Sequence, residues 1–190
     1  MRIAYIVYEG MNWLNLIGVY EPVSRLKSMG YNTELTWDFC AFTESTQDKF
    51  GLAMKADRVK QLLEGYDAII IPGGVGVEAL LGHTLFIEWL KTAASVPLKI
   101  STCTGSLLLG KAGFLTEKKA TTHFAEYDTL REMDVEVLEQ GIVEDGNVIS
   151  SGTGLAAIEL GLYLCEKWSG TEAKEIIQKE ILYNTSPVCI

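Results

Sequence analysis

The chain has 190 residues, of which 48% are hydrophobic and 22% charged, and this composition predicts one globular domain covering residues 1–190. Its formal net charge of −9 comes from carboxylates spread along the chain without a basic stripe for a phosphate backbone, so we expect no nucleic acid partner. The apolar run that opens the chain, residues 3–8, is too short for a secretory signal or a membrane span, so we expect a cytoplasmic protein with no membrane partner.

Apolar runs typical of strands alternate with the three-to-four-residue spacing typical of helices. A proline in the first helical segment, Pro22, predicts a kink or a later start of that helix. The segment 41–60 suggests an edge hairpin, and Asp145-Gly146 marks a hairpin turn within 141–152. The other predicted strands are 3–8, 33–40, 67–74, 99–102 and 118–123, and the predicted helices are 15–30, 86–94, 125–133, 153–168 and 172–183.

This alternation predicts an α/β fold with a doubly wound, mostly parallel sheet and helices on both faces. Active sites in such folds lie at the carboxyl ends of the strands. We therefore expect three loops to meet there. They are the loop at residues 13–18, the Gly73-Gly74 loop and the turn at Cys103.

Cys103 lies where a strand passes into a helix, in the stretch KISTCTGSLLLGKAG. A sharp turn at this point would expose the sulfur as a nucleophile elbow, and the small Gly105 would let the helix pack closely. Backbone N–H groups and the helix N-terminus would lower the pKa of the thiol. The amides of Gly73, Gly74 and Thr104 are candidates for holding negative charge on an intermediate. The alternative is that Cys103 is a small buried residue at a crowded junction.

The remaining cysteine and histidine residues do not suggest a metal site or a disulfide. The four cysteines are far apart, no C-x-x-C pair occurs, and the chain has only two histidines. Reduced thiols agree with the expected cytoplasmic location. Cys165 fits a helix core, and Cys189 is predicted to be an exposed thiol near the last residue.

The segments AIIIPGGVGVEALL and STCTGSLLLGKAGFLTEKKATTHFAEYDTL resemble the ThiJ/PfpI superfamily, and the spacing of CTGS, LGKAG and ATTH most resembles its isonitrile (isocyanide) hydratase branch. The likeness covers nearly the whole chain. It implies a flavodoxin-like sandwich, a homodimer with the site near the subunit interface, and a nucleophilic Cys103 followed by Thr104. It also implies oxyanion amides at Gly74 and Thr104, with no organic cofactor and no metal.

Asn15 departs from the pattern of that family. The family brings a carboxylate to the cysteine from the first strand-to-helix loop, and the matching position here is Asn15. An amide side chain does not ionise in the working pH range, so it cannot serve as an acid or base. Asn15 therefore predicts a slow hydratase or a different reaction, although its NH₂ group can still donate a hydrogen bond to the sulfur.

Three side chains are alternatives to the missing carboxylate. His123 follows Cys103 by 20 residues at the end of a predicted strand and is the best candidate, although a hydrogen-bonded structural histidine is the competing interpretation. Glu21 is expected on another side of the first helix. Glu9, next to the first strand, is expected to be solvated.

The leading functional hypothesis is a cysteine-dependent hydratase or hydrolase for a small uncharged electrophile, with isonitriles favoured and Trp13 lining the mouth of the pocket. A peptidase is disfavoured because Thr104 occupies the position at which the protease-like branch has histidine. Two alternatives stay open. One is a redox- or electrophile-responsive protein in which Cys103 is oxidised. The other is a non-catalytic ligand-binding domain, for which the absence of a basic segment disfavours direct contact with DNA.

Overall fold

The structure is a computed structural model that describes residues 1–181, so the predicted exposed thiol of Cys189 lies outside the described residues. The strands are β1 (Arg2–Val7), β2 (Thr36–Ala41), β3 (Ser45–Gln47), β4 (Ala53–Lys55), β5 (Arg58–Val59), β6 (Ala68–Ile71), β7 (Leu98–Thr102), β8 (Lys119–Ala120), β9 (Glu136–Val137), β10 (Ile142–Asp145) and β11 (Val148–Ser151). The helices are α1 (Trp13–Ser28), α2 (Val77–Leu81), α3 (Thr84–Lys91), α4 (Gly105–Lys111), α5 (Tyr127–Arg131), α6 (Gly154–Ser169) and α7 (Thr171–Ile181), with a 3₁₀ turn at Phe124–Glu126.

Seven of these strands form the central sheet in the order β10-β11-β7-β6-β1-β2-β5. All neighbours in this sheet are parallel except β10 and β11, which form the predicted hairpin. The central strands are nearly continuous apolar runs because both faces of a parallel sheet are covered. In β6, for example, all four residues are buried. The predicted α/β fold with a mostly parallel sheet is confirmed.

Two groups of helices cover the sheet. Helices α1, α6 and α7 pack against one another, α4 packs against α2 and α5, and both α4 and α6 contact β7. The helix α1 begins at Trp13 and continues through Pro22, so the predicted late start is wrong. Pro22 is buried against α6, where its ring lies 2.8 Å from the position of a Cβ added to Gly161. Packing against α6 thus stabilises a helix that a proline interrupts.

Three other segments differ from their predictions. Only Lys119–Ala120 of the strand predicted at 118–123 is a strand, and it pairs with β9 outside the central sheet. The amide of Thr121 donates to the hydroxyl of Ser150, a residue of β11. The helix predicted at 125–133 is a 3₁₀ turn followed by the short α5. The hairpin predicted within 41–60 is β3 and β4, but it forms a separate two-stranded sheet, and the edge strand of the central sheet is β5. Within residues 1–181, each helix falls short of the length and apolar character needed to cross a bilayer.

Candidate active site

Cys103 forms the turn between β7 and α4 with a left-handed backbone angle, φ of +52°. This conformation is strained for a residue with a side chain and is maintained by its surroundings. The amide of Cys103 donates to the carbonyl of Ser151 at 2.8 Å and to that of Gly152 at 2.9 Å. Its carbonyl accepts from the hydroxyls of Thr122 and Ser106, each at 3.1 Å. Neighbouring strands and loops therefore determine the elbow.

Two glycines allow the backbone to approach the elbow closely. A Cβ added to Gly105 would lie 2.2 Å from the carbonyl oxygen of Ile71, so the predicted close packing of α4 is confirmed. A Cβ added to Gly73 would lie 2.6 Å from the amide nitrogen of Thr104 and 2.8 Å from the Cβ of Cys103. The Gly73-Gly74 loop thus lies directly against the turn that presents the sulfur.

The three predicted loops meet at this end of the sheet. Met11 and Gly74 form a β-bridge, and the amide of Asn12 donates to the carbonyl of Gly73 at 2.8 Å. The hydroxyl of Thr102, just before the elbow, donates to the carbonyl of Asn15 at 3.2 Å. These bonds connect the first loop to both of the others, and the prediction that the loops converge is confirmed.

A pocket of about 880 Å³ opens over the sulfur. Six of the predicted site residues line it: Trp13, Asn15, Gly74, Cys103, Thr104 and His123. Gly73 is buried behind the turn. The apolar side chains of the wall include Leu14, Phe50, Val75, Val77, Leu81 and Leu107. The acidic and lysine side chains of the wall are Asp48, Lys49, Glu78 and Glu126. The wall therefore offers an apolar chamber with a few polar groups near the thiol.

The pKa of the Cys103 thiol is raised above its ordinary value, mainly because burial disfavours the thiolate. The backbone amide of Thr104, the side chain of Asn15 and the hydroxyl of Thr104 lie near the sulfur and lower the pKa without reversing that effect, while the charge of Glu126 raises it. The prediction that the turn gives a thiol of low pKa is therefore wrong. Burial outweighs the nearby donors, and the sulfur is protonated at neutral pH.

Asn15 lies in the first turn of α1 with only 3% of its surface exposed. Its side chain lies beside the sulfur of Cys103 and lowers the pKa of that thiol. Its Oδ1 atom is buried and has no hydrogen-bond partner within residues 1–181. A buried acceptor without a partner is costly, and here it is adjacent to the candidate nucleophile.

The predicted oxyanion donors are in different situations. The amide of Gly74 donates to the hydroxyl of Thr104 at 3.0 Å, so it is already engaged. The amide of Thr104 faces the sulfur itself. A role for Gly73, Gly74 or Thr104 in holding negative charge stays a prediction.

His123 lines the pocket but makes a local structural bond. Its Nδ1 atom accepts from the amide of Ala125 at 3.2 Å, and its ring lies 4.4 Å from that of Phe124, centroid to centroid. This bond places the ring proton of the neutral imidazole on Nε2. Trp13 also lines the pocket, and its indole N–H donates to the carbonyl of Leu52 at 3.2 Å. These hydrogen bonds hold the side chains of His123 and Trp13 at the pocket.

Glu126, which the sequence analysis did not single out, also lines the pocket. It lies three residues after His123, at the start of the predicted helix 125–133, and this nearness to His123 was the available signal. Glu21 and Glu9, the two carboxylates that the sequence offers in place of the missing one, do not line the pocket. Glu21 forms an ion pair with Arg25 at 2.7 Å, and Glu9 accepts from the amide of Gln47 at 3.1 Å.

No cluster of three or more potential metal ligands occurs among residues 1–181. The three cysteines of this part of the chain, Cys40, Cys103 and Cys165, are free thiols. Cys40 and Cys165 are buried, and their pKa values are raised by that burial to about 11 and about 12. Cys103 is the half-buried thiol of the three and the one at the pocket.

Comparisons with known proteins agree with this architecture. Residues 1–167 match the DJ-1/PfpI family. The chain is 30% identical over 189 residues to isonitrile hydratase from Pseudomonas putida, which covers 98% of this chain and 80% of that protein. A ThiJ/PfpI family protein from Pseudomonas syringae has a TM-score of 0.88 at 25% identity, covering 98% of this chain and 76% of that one. Drosophila melanogaster DJ-1beta has a TM-score of 0.81 at 19% identity, covering 97% and 98%, and shows the same fold. The chain belongs to the DJ-1/PfpI family.

Proposed function

We propose that this protein is a cysteine-dependent hydratase that converts an isonitrile and water into an N-substituted formamide, with Cys103 as the nucleophile. The observation that carries this proposal is the strained elbow that presents the sulfur of Cys103 to a pocket of about 880 Å³. The 30% identity with isonitrile hydratase from Pseudomonas putida supports the choice of substrate. The apolar wall suits the organic group of an uncharged isonitrile.

The reaction follows from the chemistry of a thiol and an isonitrile. The thiolate of Cys103 attacks the terminal carbon, an S–C bond forms, and that carbon takes up a proton to give a thioimidate. Water then adds to the same carbon and the nitrogen is protonated. Collapse of this tetrahedral adduct breaks the S–C bond, returns the thiolate and releases the formamide. No oxidant, metal or organic cofactor enters this balance.

The residues around the sulfur have separate proposed roles. Asn15 and the amide of Thr104 hydrogen-bond the sulfur and favour the thiolate when it forms. The amides of Gly73, Gly74 and Thr104 are the candidate donors to negative charge on the adduct, once the hydroxyl of Thr104 releases Gly74. Trp13 lines the chamber that would receive the organic group. His123 has Nε2–H as its remaining polar group and would act as a donor to substrate.

A redox- or electrophile-responsive role is the weaker hypothesis. Reaction of a cysteine with peroxide or with an electrophile requires the thiolate. Burial raises the pKa of Cys103, which keeps the free protein in the thiol form at neutral pH. A hydratase is less affected by this because a base in the occupied pocket can remove the proton at the moment of attack.

The test is formamide production from cyclohexyl and p-nitrophenyl isonitriles, followed by chromatography. We expect turnover by the wild type, loss of turnover in Cys103→Ala, and wild-type turnover in Cys165→Ala, whose thiol is buried in α6. No formamide from the wild type, or unchanged production by Cys103→Ala, would refute the proposed function.

A further inference from the structure

Glu126 is a carboxylate in a defined position at the Cys103 pocket. It is half-buried at the end of the 3₁₀ turn, immediately before α5. Its amide donates to the carbonyl of His123 at 2.8 Å, and its Oε2 atom accepts from the hydroxyl of Thr129 at 2.9 Å. Both Glu126 and Thr129 line the pocket. The carboxylate is therefore oriented by its own helical turn and faces the same chamber as the thiol.

The other acidic side chains of the pocket are less suited to proton transfer at the sulfur. Asp48 accepts from the amides of Phe50 and Leu52 at 2.8 and 2.9 Å, so its carboxylate holds its own loop. Glu78 is exposed to solvent at the pocket rim. Of the three, Glu126 is the carboxylate whose charge acts on the Cys103 thiol.

The site needs a group that exchanges protons because Cys103 is a thiol at neutral pH. The polar side chains that lower the pKa of the thiol, Asn15 and Thr104, do not ionise in the working range. The Nδ1 atom of His123 already accepts from the amide of Ala125, and Nε2 carries the proton, so the neutral ring has no free lone pair for a proton. The carboxylate of Glu126 on the pocket wall can accept and return these protons.

We propose that Glu126 is the general base and acid of the Cys103 site. This inference rests on the proposed hydratase function and adds the proton carrier to it. Glu126 takes the proton of the thiol as the S–C bond forms and gives it to the isonitrile carbon. It then takes a proton from the attacking water and passes it to the nitrogen. As the S–C bond breaks, Glu126 accepts the hydroxyl proton of the adduct and returns it to the sulfur, so the carboxylate and the thiol are both restored.

Replacing Glu126 distinguishes a proton carrier from a nearby charge. Both roles predict faster alkylation of Cys103, but they predict opposite effects on the hydration of isonitriles. Removing its negative charge favours the thiolate of Cys103, so the thiol should react faster with an alkylating reagent. If Glu126 were only a nearby charge, the more nucleophilic sulfur would also hydrate isonitriles at least as fast. If Glu126 carries the protons, hydration slows while alkylation accelerates.

The experiment compares wild type, Glu126→Gln and the control Glu132→Gln. Glu132 is an exposed carboxylate at the end of α5, so its replacement removes the same charge from the same element away from the pocket. For each protein, formamide production from cyclohexyl isonitrile and the rate of iodoacetamide alkylation at Cys103 are measured between pH 6 and about 10, a range that spans ordinary thiol ionisation. We expect Glu126→Gln to lower turnover by about 10²- to 10⁴-fold, the usual contribution of a general acid or base. We also expect its alkylation profile to move to lower pH, with both quantities unchanged in Glu132→Gln.

Turnover in Glu126→Gln that equals or exceeds that of the wild type would overturn the assignment of Glu126 and leave the hydratase function intact. Absence of formamide from the wild type would instead refute the hydratase function. If circular dichroism shows that Glu126→Gln does not fold, Glu126→Asp takes its place. That variant keeps the charge and withdraws the carboxylate by one methylene. We expect it to lose turnover with an unchanged alkylation profile, and full turnover would overturn the proposal.

Discussion

The chemistry of this site depends on the balance of burial and hydrogen bonding at one sulfur atom. Cys103 has a left-handed backbone, φ of +52°, maintained by bonds from neighbouring strands and loops. Its thiol is half-buried, and burial raises its pKa more than the donors from Asn15 and Thr104 lower it. The elbow therefore orients the sulfur toward the pocket, and a separate group must accept the proton of the thiol. In our proposal that group is Glu126.

The effect of the Asn15 side chain on the pKa of Cys103 gives a prediction about pH. Asn15→Leu keeps a similar volume and removes the donor that lowers the pKa of Cys103, together with the buried Oδ1 atom that has no partner within residues 1–181. We expect the pH profile of Cys103 alkylation to move to higher pH, because the thiolate loses a stabilising bond. The measurement is the rate of iodoacetamide labelling of the Cys103 peptide against pH. A profile that coincides with the wild type would contradict this account of the sulfur.

At the scale of elements, apolar runs and glycine positions were sufficient to predict most of the fold. The strands around 3–8 and 67–74, the hairpin at 141–152 and the α6 segment follow from patterns that lie within a few neighbouring residues. The strand at 118–123 is overpredicted, since its pairing stops at Ala120 and Thr121 is bonded to the hydroxyl of Ser150, 29 residues away. Local sequence does not contain such a contact.

The site was predictable in part for the same reason. The elbow and the glycine loop are local motifs that pointed to Cys103 and Gly74, and the family resemblance pointed to Asn15; all three line the pocket. Glu126 was missed because its relation to Cys103 depends on how the 3₁₀ turn and α5 lie beside α4, which no local pattern specifies. The direction of the thiol pKa was also missed, since burial is a property of the packed structure.

The contact between α1 and α6 gives a prediction about stability. A Cβ added to Gly18 would lie 2.9 Å from the Cβ of Ala157 and 3.2 Å from the backbone nitrogen of Ile158. Gly18→Ala would therefore force these helices apart, and we expect the free energy of unfolding to fall by about 1–3 kcal/mol, as for other overpacked interiors. Urea unfolding followed by circular dichroism measures the change.

The matched control is Gly82→Ala at the end of α2. The atom nearest to a Cβ added there, the carbonyl oxygen of Ala79, is 3.8 Å away, and the backbone angle of Gly82, φ of −90°, suits any residue. We expect this variant to stay within about 0.5 kcal/mol of the wild type. Equal stability of Gly18→Ala and Gly82→Ala would mean that the α1–α6 contact is not tightly packed.

At the scale of the whole molecule, one side of the pocket is bordered by exposed apolar side chains. Leu14 and Ile17 of α1 are 48% and 40% exposed, and Leu155 of α6 is 74% exposed. Leu14 lies against Gly154, the residue before Leu155, so exposed apolar side chains of both helices border this contact. Patches of this kind mark interaction surfaces. They agree with the expectation of a homodimer that covers the mouth of the site.

We therefore expect the protein to have twice the 21.0 kDa mass of one chain in solution, measured by light scattering after size exclusion. Leu155→Glu places a charge in the patch and should shift the protein to the monomer. Leu85→Glu, at an equally exposed leucine of α3, should leave the dimer unchanged. A wild-type protein that is monomeric at all concentrations, or two variants that behave alike, would contradict this assignment of the interface.

The central claim, that Cys103 carries the reaction, is tested most directly by chemical modification followed during turnover. Iodoacetamide is added to the wild-type protein, and the labelled fraction of the Cys103 peptide is measured by mass spectrometry beside the remaining formamide production. If Cys103 carries the reaction, labelling and loss of turnover share one rate constant, and excess cyclohexyl isonitrile slows both. Protein that is fully labelled at Cys103 and still produces formamide at the original rate would contradict it.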